Sequence, residues 1–464
     1  MLSILWPILL EFRTIFIHQS SFLWFCSAVI GISAGSDDIG GVTSIARNLQ
    51  MTECGYWGLS RFFGAHTKRL KEIQITWVSL AMKKIFDEPI KIGDRVLAII
   101  DGTKVAKRGR RMPGIIGLKD TTNDCWMRGH HFEQLCLVVR STANLFPVPL
   151  VTTLLTGFDD GKSLAERCSD FILRYPQLQG CLIVGDAWYS KSKIIIELAR
   201  SGMIAMVTRL ANNVVAYELF VQNPFETPRR GRKRKYGKKI KLKDLFEEPM
   251  ETWKILDNSG KEMEVRGWSH DLLWKPLKMM VRFVGVEHPE KGQIILLSSD
   301  ISIKPTEIVQ AYVYRFWIEV GFHTAKSLLG SFSYRFWVKA MKRLGSFPKE
   351  SKVKDLPDNI AEKIKQKIQT IELFITCAGI AQGLLVYLSI QHADIVAKQA
   401  RFWLRTKRGG LAGERIAAAY VKISLRNLMK AAPNTNPLEK FLSEKQGWDS
   451  LEDNFSADEV VYKK

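Results

Sequence analysis

Two signatures are missing from this 464-residue sequence: a metal-binding cysteine pattern and an unbroken membrane span. The seven cysteines, 26, 54, 125, 136, 168, 181 and 377, form no CxxC pair and no Cys/His spacing of the zinc kind. Their odd number argues against a disulfide framework, so they read as reduced core residues of a cytosolic protein. The apolar N-terminus, MLSILWPILLEFRTIFIHQSSFLWFCSAVIGI, is broken by Glu11, Arg13 and His18-Gln19. What remains, Ser20 to Ile32, is too short to cross a bilayer, and neither a basic n-region nor a cleavage site marks a signal peptide. Ile371 to Ile390 holds Glu372 and Gln382 and reads as a buried helix; no membrane partner is expected. There is no internal repeat and no extended low-complexity segment.

Acid is also in short supply. Against 68 Lys and Arg stand 47 Asp and Glu, a formal net charge of +21. An excess of that size favours a polyanionic partner, with nucleic acid ahead of an acidic surface. The hydrophobic share of 46% is that of a folded chain, and the length calls for two to four domains.

Residues 1–90 read as a helical region. Within it TSIARNLQMTECGYWGLSRFF (43–63) suggests two short helices around a turn at Gln50 to Glu53, which would bring Arg61, Lys68 and Arg69 near a phosphate backbone. From residue 95 the pattern becomes α/β. RVLAIID (95–101), FEQLCLVVR (132–140), FPVPLVTTLLTG (146–157), CLIVGD (181–186) and IAMVTR (204–209) read as strands, with helices at Ser163 to Arg174 and Lys191 to Ser201. The order β-β-β-α-β-α-β gives one mixed sheet. Residues 210–292 read as a β-rich insertion, and QIILLSS (293–299) returns to the sheet. A single long helix is expected from Thr306 to Leu329, irregular chain from Phe332 to Asp358, helices from Asn359 to Lys430, and a polar, acidic tail. The domains expected are therefore 1–90, a catalytic domain of 91–209 with 293–358, the insertion 210–292, and 359–464.

Asp101 and Asp186 each end a short buried strand, at the sheet edge where ligands bind in α/β proteins. Either could simply end its strand or cap the next helix. Side by side they would repel unless one were protonated or a cation lay between them, and Mg²⁺ or Mn²⁺ suits an all-oxygen site. The helix TEIVQAYVYRFWIEVGFHTAKSLLG adds Tyr312, Arg315, Glu319 and Lys326, which at ~100° per residue share an arc about 60° wide, with His323 at its edge. Such charges on a mostly apolar helix are costly unless they are paired or serve a ligand.

Asp101, Asp186 and Tyr312-x2-Arg315-x3-Glu319-x6-Lys326, after a β-rich insertion, resemble the bacterial insertion-sequence transposases of the DDE type with the Y-R-E-K signature, and are similar to insertion sequence family four. The resemblance covers roughly residues 43–425. It implies an RNase H-like catalytic fold and DNA cleavage followed by strand transfer. Asp101, Asp186 and Glu319 would hold two Mg²⁺ or Mn²⁺ ions, while Tyr312, Arg315 and Lys326 would contact DNA phosphates. It further implies a homodimer on double-stranded DNA, and a cytoplasmic, nucleoid-associated protein. The aromatic after the arginine, usually Trp in the signature, is Phe316 here, with Trp317 next. GTKVAKRGRRMPG is similar to the Gly- and Lys-rich loop after the family's first Asp, and His130-His131 read as structural or surface histidines. The run PRRGRKRKYGKKIKLK (228–243) holds ten Lys or Arg in sixteen residues. With Arg229, Arg230, Arg232 and Arg234 at its core, it is a candidate clamp on the DNA backbone. A nuclease that hydrolyses without joining, and a non-catalytic DNA-binding protein, are the competing readings.

Overall fold

Short apolar runs dense in β-branched residues, such as Val96 to Ile100 and Leu182 to Val184, have no polar face to offer water. They are stable only as central strands covered on both sides. The computed structural model describes residues 1–36, 40–120, 124–142, 144–202, 204–222, 234–289, 292–352, 356–400, 412–430 and 436–447. Its contacts divide the chain into two units, one of residues 1–76, 324–339 and 362–464, the other of residues 77–323 and 340–361.

The first unit begins with helices α1 (Leu2–Leu10), α2 (Gln19–Ser33), α3 (Val42–Asn48) and α4 (Glu53–Ala65), then enters α5 (Leu70–Lys83). The expected helix pair is α3 and α4. Gln50 takes a positive φ of 48° in the turn between them, and the Thr52 hydroxyl caps α4 by accepting from Gly55 N at 3.2 Å. Gly58 lets Trp24 lie against α4, where a Cβ would meet the indole at 2.3 Å.

The second unit is built on a sheet. Its strands open with β1 (Lys91–Ile92), β2 (Arg95–Ala106), β3 (Ile116–Asp120), β4 (Cys125–Ser141), β5 (Asn144–Leu154) and the short β6 (Phe158–Asp159). Helix α6 (Leu164–Leu173), with a Ser163/Glu166 capping box, leads to β7 (Leu182–Gly185), and α7 (Ser192–Arg200) leads to β8 (Ala205–Leu210). The lateral order β5-β4-β2-β7-β8, antiparallel up to β2 and parallel from β2 to β8, is the RNase H-like arrangement. Gly102 to Ala106, expected as loop, instead prolong β2, because Gly102 through Ala106 pair with Glu133 through Gly129 on β4. The β3 hairpin strand was likewise unexpected.

The insertion adds β9 (Val215–Leu219), β10 (Tyr236–Lys241), β11 (Glu251–Leu256), β12 (Glu262–Trp274) and β13 (Met279–His288), and the chain returns through β14 (Gly292–Ser298). Strand β14 lies antiparallel to β8, Ile295 opposite Leu210, so the insertion extends the same sheet. Among the described residues that sheet has thirteen strands.

The long helix expected from Thr306 to Leu329 is two helices, α8 (Pro305–Tyr314) and α9 (Phe316–Ser327), separated at Arg315. There the bonds tighten to i→i−3, from Arg315 N to Tyr312 O and Ile318 N to Arg315 O, both 3.3 Å. Tyr312, Val313, Tyr314, Phe316 and Trp317 crowd this turn, and side chains of that kind lose rotamer freedom in a helix. On one sheet face Leu97, Ile99, Leu182, Val184 and Val207 pack beneath Ile308, Ala311, Ile318 and Phe322 of these helices. Helix α7 packs against β8, and α6 packs against α7.

Among the described residues between α9 and the next helix, the chain is irregular but for β15 (Ser351–Lys352), which pairs in parallel with β6. Helices α10 (Asp358–Gln391), α11 (Ala393–Gln399) and α12 (Glu414–Lys430) follow. The tail expected to be only polar carries α13 (Pro437–Ser443), whose Leu438, Phe441 and Leu442 are buried, Phe441 edge-on to Trp24. Helix α10 is long and apolar enough to cross a membrane, yet 83% of its most apolar window is buried within the protein, as in a core helix. All seven cysteines are free thiols, but Cys54 and Cys125 are exposed rather than in the core.

Candidate active site

Strands β2 and β7 run parallel, with Leu97, Ala98 and Ile99 beside Leu182, Ile183 and Val184. Two residues further along, the same register sets Asp101 beside Asp186, on strands ~4.8 Å apart. Strand alternation turns both acids to the face that α8 and α9 cover. Asp101 is partly buried and accepts from Gly102 N at 2.8 Å. Asp186 opens a turn of 3₁₀ helix, its carboxylate accepting from Trp188 N at 2.8 Å.

Arg315 stands at the junction of α8 and α9 and spans two acids. Its guanidinium reaches Asp101 Oδ2 at 3.0 Å and Glu319 Oε1 at 2.8 Å. It also lies over the Tyr312 ring, 5.9 Å from the centroid. Burial pushes the Asp101 carboxyl up to about 6; Arg315 opposes this and Asp186 adds to it. Asp101, Asp186, Arg315 and Glu319 thus meet on one face, with Tyr312 alongside. Lys326 is exposed on the last turn of α9 and falls in the other unit. Arg234 is exposed, donates to Tyr236 O at 2.9 Å and lies 5.1 Å from the Phe220 ring centroid. Arg229, Arg230 and Arg232 lie outside the described residues. Phe316 is exposed, whereas Trp317 packs against the core with its indole N–H buried and unbonded.

Residues 93–346, just over half of the chain, match the family model for the transposase DDE domain. The chain belongs to that family. No curated protein matches it. Membership implies a catalytic transposase that binds DNA, and DDE transposases generally use divalent metal ions. In this DDE domain the donor chemistry fits such an ion. Asp101, Asp186 and Glu319 offer only oxygen, which suits Mg²⁺ or Mn²⁺. Gln134, opposite Asp101 on β4, keeps a buried Oε1 without a hydrogen-bond partner. The site is not preassembled: among the described residues no three His, Cys, Asp or Glu side chains gather closely enough to hold a metal. Arg315 occupies the space between Asp101 and Glu319 instead.

Sequence reasoning passed over several neighbours in the DDE domain. Gln134 and Glu133 are buried polar residues on β4, and the signal was there: an acid and an amide inside an otherwise apolar strand. Tyr189 follows Asp186 by three residues and donates to Glu133 Oε2 at 2.5 Å. His130 is fully buried against Pro113 O at 2.9 Å, and burial pushes it down to about 3, so it is a neutral structural histidine. His131 lies 3.6 Å from Glu133 and is pushed down to about 4 by burial.

Proposed function

We propose that this transposase cuts DNA at the ends of its element and joins the freed 3′-hydroxyl to target DNA at a site built on Asp101, Asp186 and Glu319. The observation that carries this reading is the meeting of Asp101 and Asp186 in register on one sheet face, with Arg315 tying Asp101 to Glu319. The three carboxylates would hold one or two Mg²⁺ or Mn²⁺ ions. When bound, such ions lower the pKa of a water and stabilise the attacking and leaving oxygens at phosphorus.

The remaining groups bind and orient DNA. Arg315, already shared between two acids, offers further guanidinium N–H donors to a phosphate, and its fork matches that geometry. Tyr312 supports the guanidinium from its ring face. Lys326 and the basic run 228–243 supply sequence-independent attraction for the backbone. A homodimer that brings two element ends together, working in the cytoplasm on nucleoid DNA, completes the reading.

The test uses duplex DNA taken from both sides of the gene, with Mg²⁺, and a second duplex pre-cut to expose a 3′-hydroxyl. Cleavage of the first and joining of the second are expected. Cleavage without joining makes the protein a nuclease, and binding without either makes it a DNA-binding protein.

A further inference from the structure

Asp101 is followed by Gly102, and Asp186 is preceded by Gly185. By strand alternation both glycines turn away from α8 and α9, towards the back of the sheet. A Cβ on Gly102 would lie 2.7 Å from His131 Nε2 and 3.0 Å from Glu133 Oε1; one on Gly185 would lie 2.6 Å from the Tyr189 ring. The missing side chains leave room for a polar group directly behind the two acids. Glu133 is 1% exposed and Tyr189 2%, and the tyrosine hydroxyl donates to the Glu133 carboxyl.

Tyr189 belongs to the turn that Asp186 opens. Its backbone N–H donates to Asp186 O at 3.2 Å, the Asp186 carboxylate accepts from Trp188 N, and the Thr208 hydroxyl donates to Asp186 O at 2.5 Å. The phenol therefore ties this turn to β4, the strand on the other side of β2. We propose that Glu133 and Tyr189 are a positioning pair: their hydrogen bond holds the turn so that the Asp186 carboxylate keeps its place beside Asp101, and so sets the affinity of the two acids for a divalent cation. This rests on the reading of Asp101 and Asp186 as metal ligands. Partners that orient a ligand from behind are commonly worth about 10–100-fold in metal affinity.

The test is Mn²⁺ binding to the full-length protein without DNA, followed by calorimetry or by the loss of the free-ion paramagnetic signal. Tyr189→Phe deletes one oxygen, and Glu133→Ala deletes its acceptor; each should weaken Mn²⁺ binding at least tenfold. The double variant should be no weaker than the worse single one, because both break the same bond. Glu133→Gln keeps an acceptor of the same shape and should stay within about threefold of wild type. If Tyr189→Phe binds Mn²⁺ like wild type while Asp186→Ala does not, the pair is only packing and the proposal is lost, but the metal reading stands. Should Glu133→Gln lose as much as Glu133→Ala with its fold intact, the carboxyl itself matters rather than its hydrogen bond, and the positioning role is overturned. If Asp101→Ala and Asp186→Ala both bind normally, the metal reading fails and takes the proposal with it. Where Glu133→Ala does not fold by circular dichroism, Tyr189→Phe carries the test alone.

Discussion

The two faces of strands β2 and β7 treat carboxyl groups in opposite ways. On the front, Asp101 and Glu319 keep a route to solvent and share one guanidinium. On the back, Glu133 is sealed from water, and burial pushes it up to about 8, with Asp101 and Asp186 adding to the rise. A carboxyl with that pKa carries its proton at neutral pH and acts as a neutral hydrogen-bonding group. The difference shows what burial does to an acid. An open face can await an external cation or phosphate, whereas a closed one must settle its charge from within.

The largest expected effect would break the front face outright. Asp101→Ala or Asp186→Ala should lower Mg²⁺-dependent cleavage of end DNA on the order of 10³-fold or more, while retention on a filter changes only a few-fold. Cleavage at the wild-type rate would remove these acids from the chemistry. Glu319→Gln, which keeps the shape and loses the charge, should cost about 10²–10³-fold in the same assay.

Arg315→Ala would sharpen the contrast. Arg315 holds the Asp101 carboxyl down against burial, so its loss should move the acid limb of the pH–rate profile to higher pH. A limb that stays in place would mean that Asp101 is not the group titrating there. Neutralising Lys and Arg in the 228–243 run tests the grip on DNA rather than either face. Each lost phosphate contact should flatten the slope of log K against log salt by about 0.9 on duplex DNA, and an unchanged slope would take the run out of the interface.

The last effect belongs to the back and is read in stability rather than in rate. The folded protein holds the Glu133 proton up to about pH 8, whereas the unfolded chain releases it near 4.5. Between those values the native state binds more protons than the unfolded one, so stability declines as pH rises. Glu133→Gln should remove that decline. Urea midpoints of the two proteins should diverge from pH 5 to 8, with the variant flatter; parallel curves would show that Glu133 is ionised in the native state.

How much of this could be read in the chain depends on the range of the interactions. Asp101 and Asp186 were legible because each ends a four- to six-residue apolar run, a local pattern. Glu319 was legible because helix geometry places Arg315 and Tyr312 near it, again locally. A mixed sheet followed from the alternating elements, and its RNase H-like fold from the family resemblance. Glu133 and Tyr189 were not legible as a pair, since their meeting depends on the register of β4 against β2 and on a turn more than fifty residues away. The break at Arg315 escaped because helical periodicity averages over a window and passes across a single tightened turn. Gly102 to Ala106 looked like loop by composition; the ladder with β4 overrode it. Helix α13 was hidden by its polar, acidic surroundings.

The ladder from β7 through β8, β14, β13, β12 and β9 to β10, joined between β12 and β9 at Leu273–Tyr217, makes the sheet a ruler. Six strand spacings of ~4.8 Å put β10 about 29 Å from β7, measured along the sheet. At ~3.4 Å per base pair that is eight or nine base pairs of duplex. The described part of the basic run, Arg234 to Lys243, lies on and beside β10. Backbone hydrogen bonds rather than a tether thus fix the separation between the place where the strand would be gripped and the place where it would be cut, at somewhat less than one turn of the double helix.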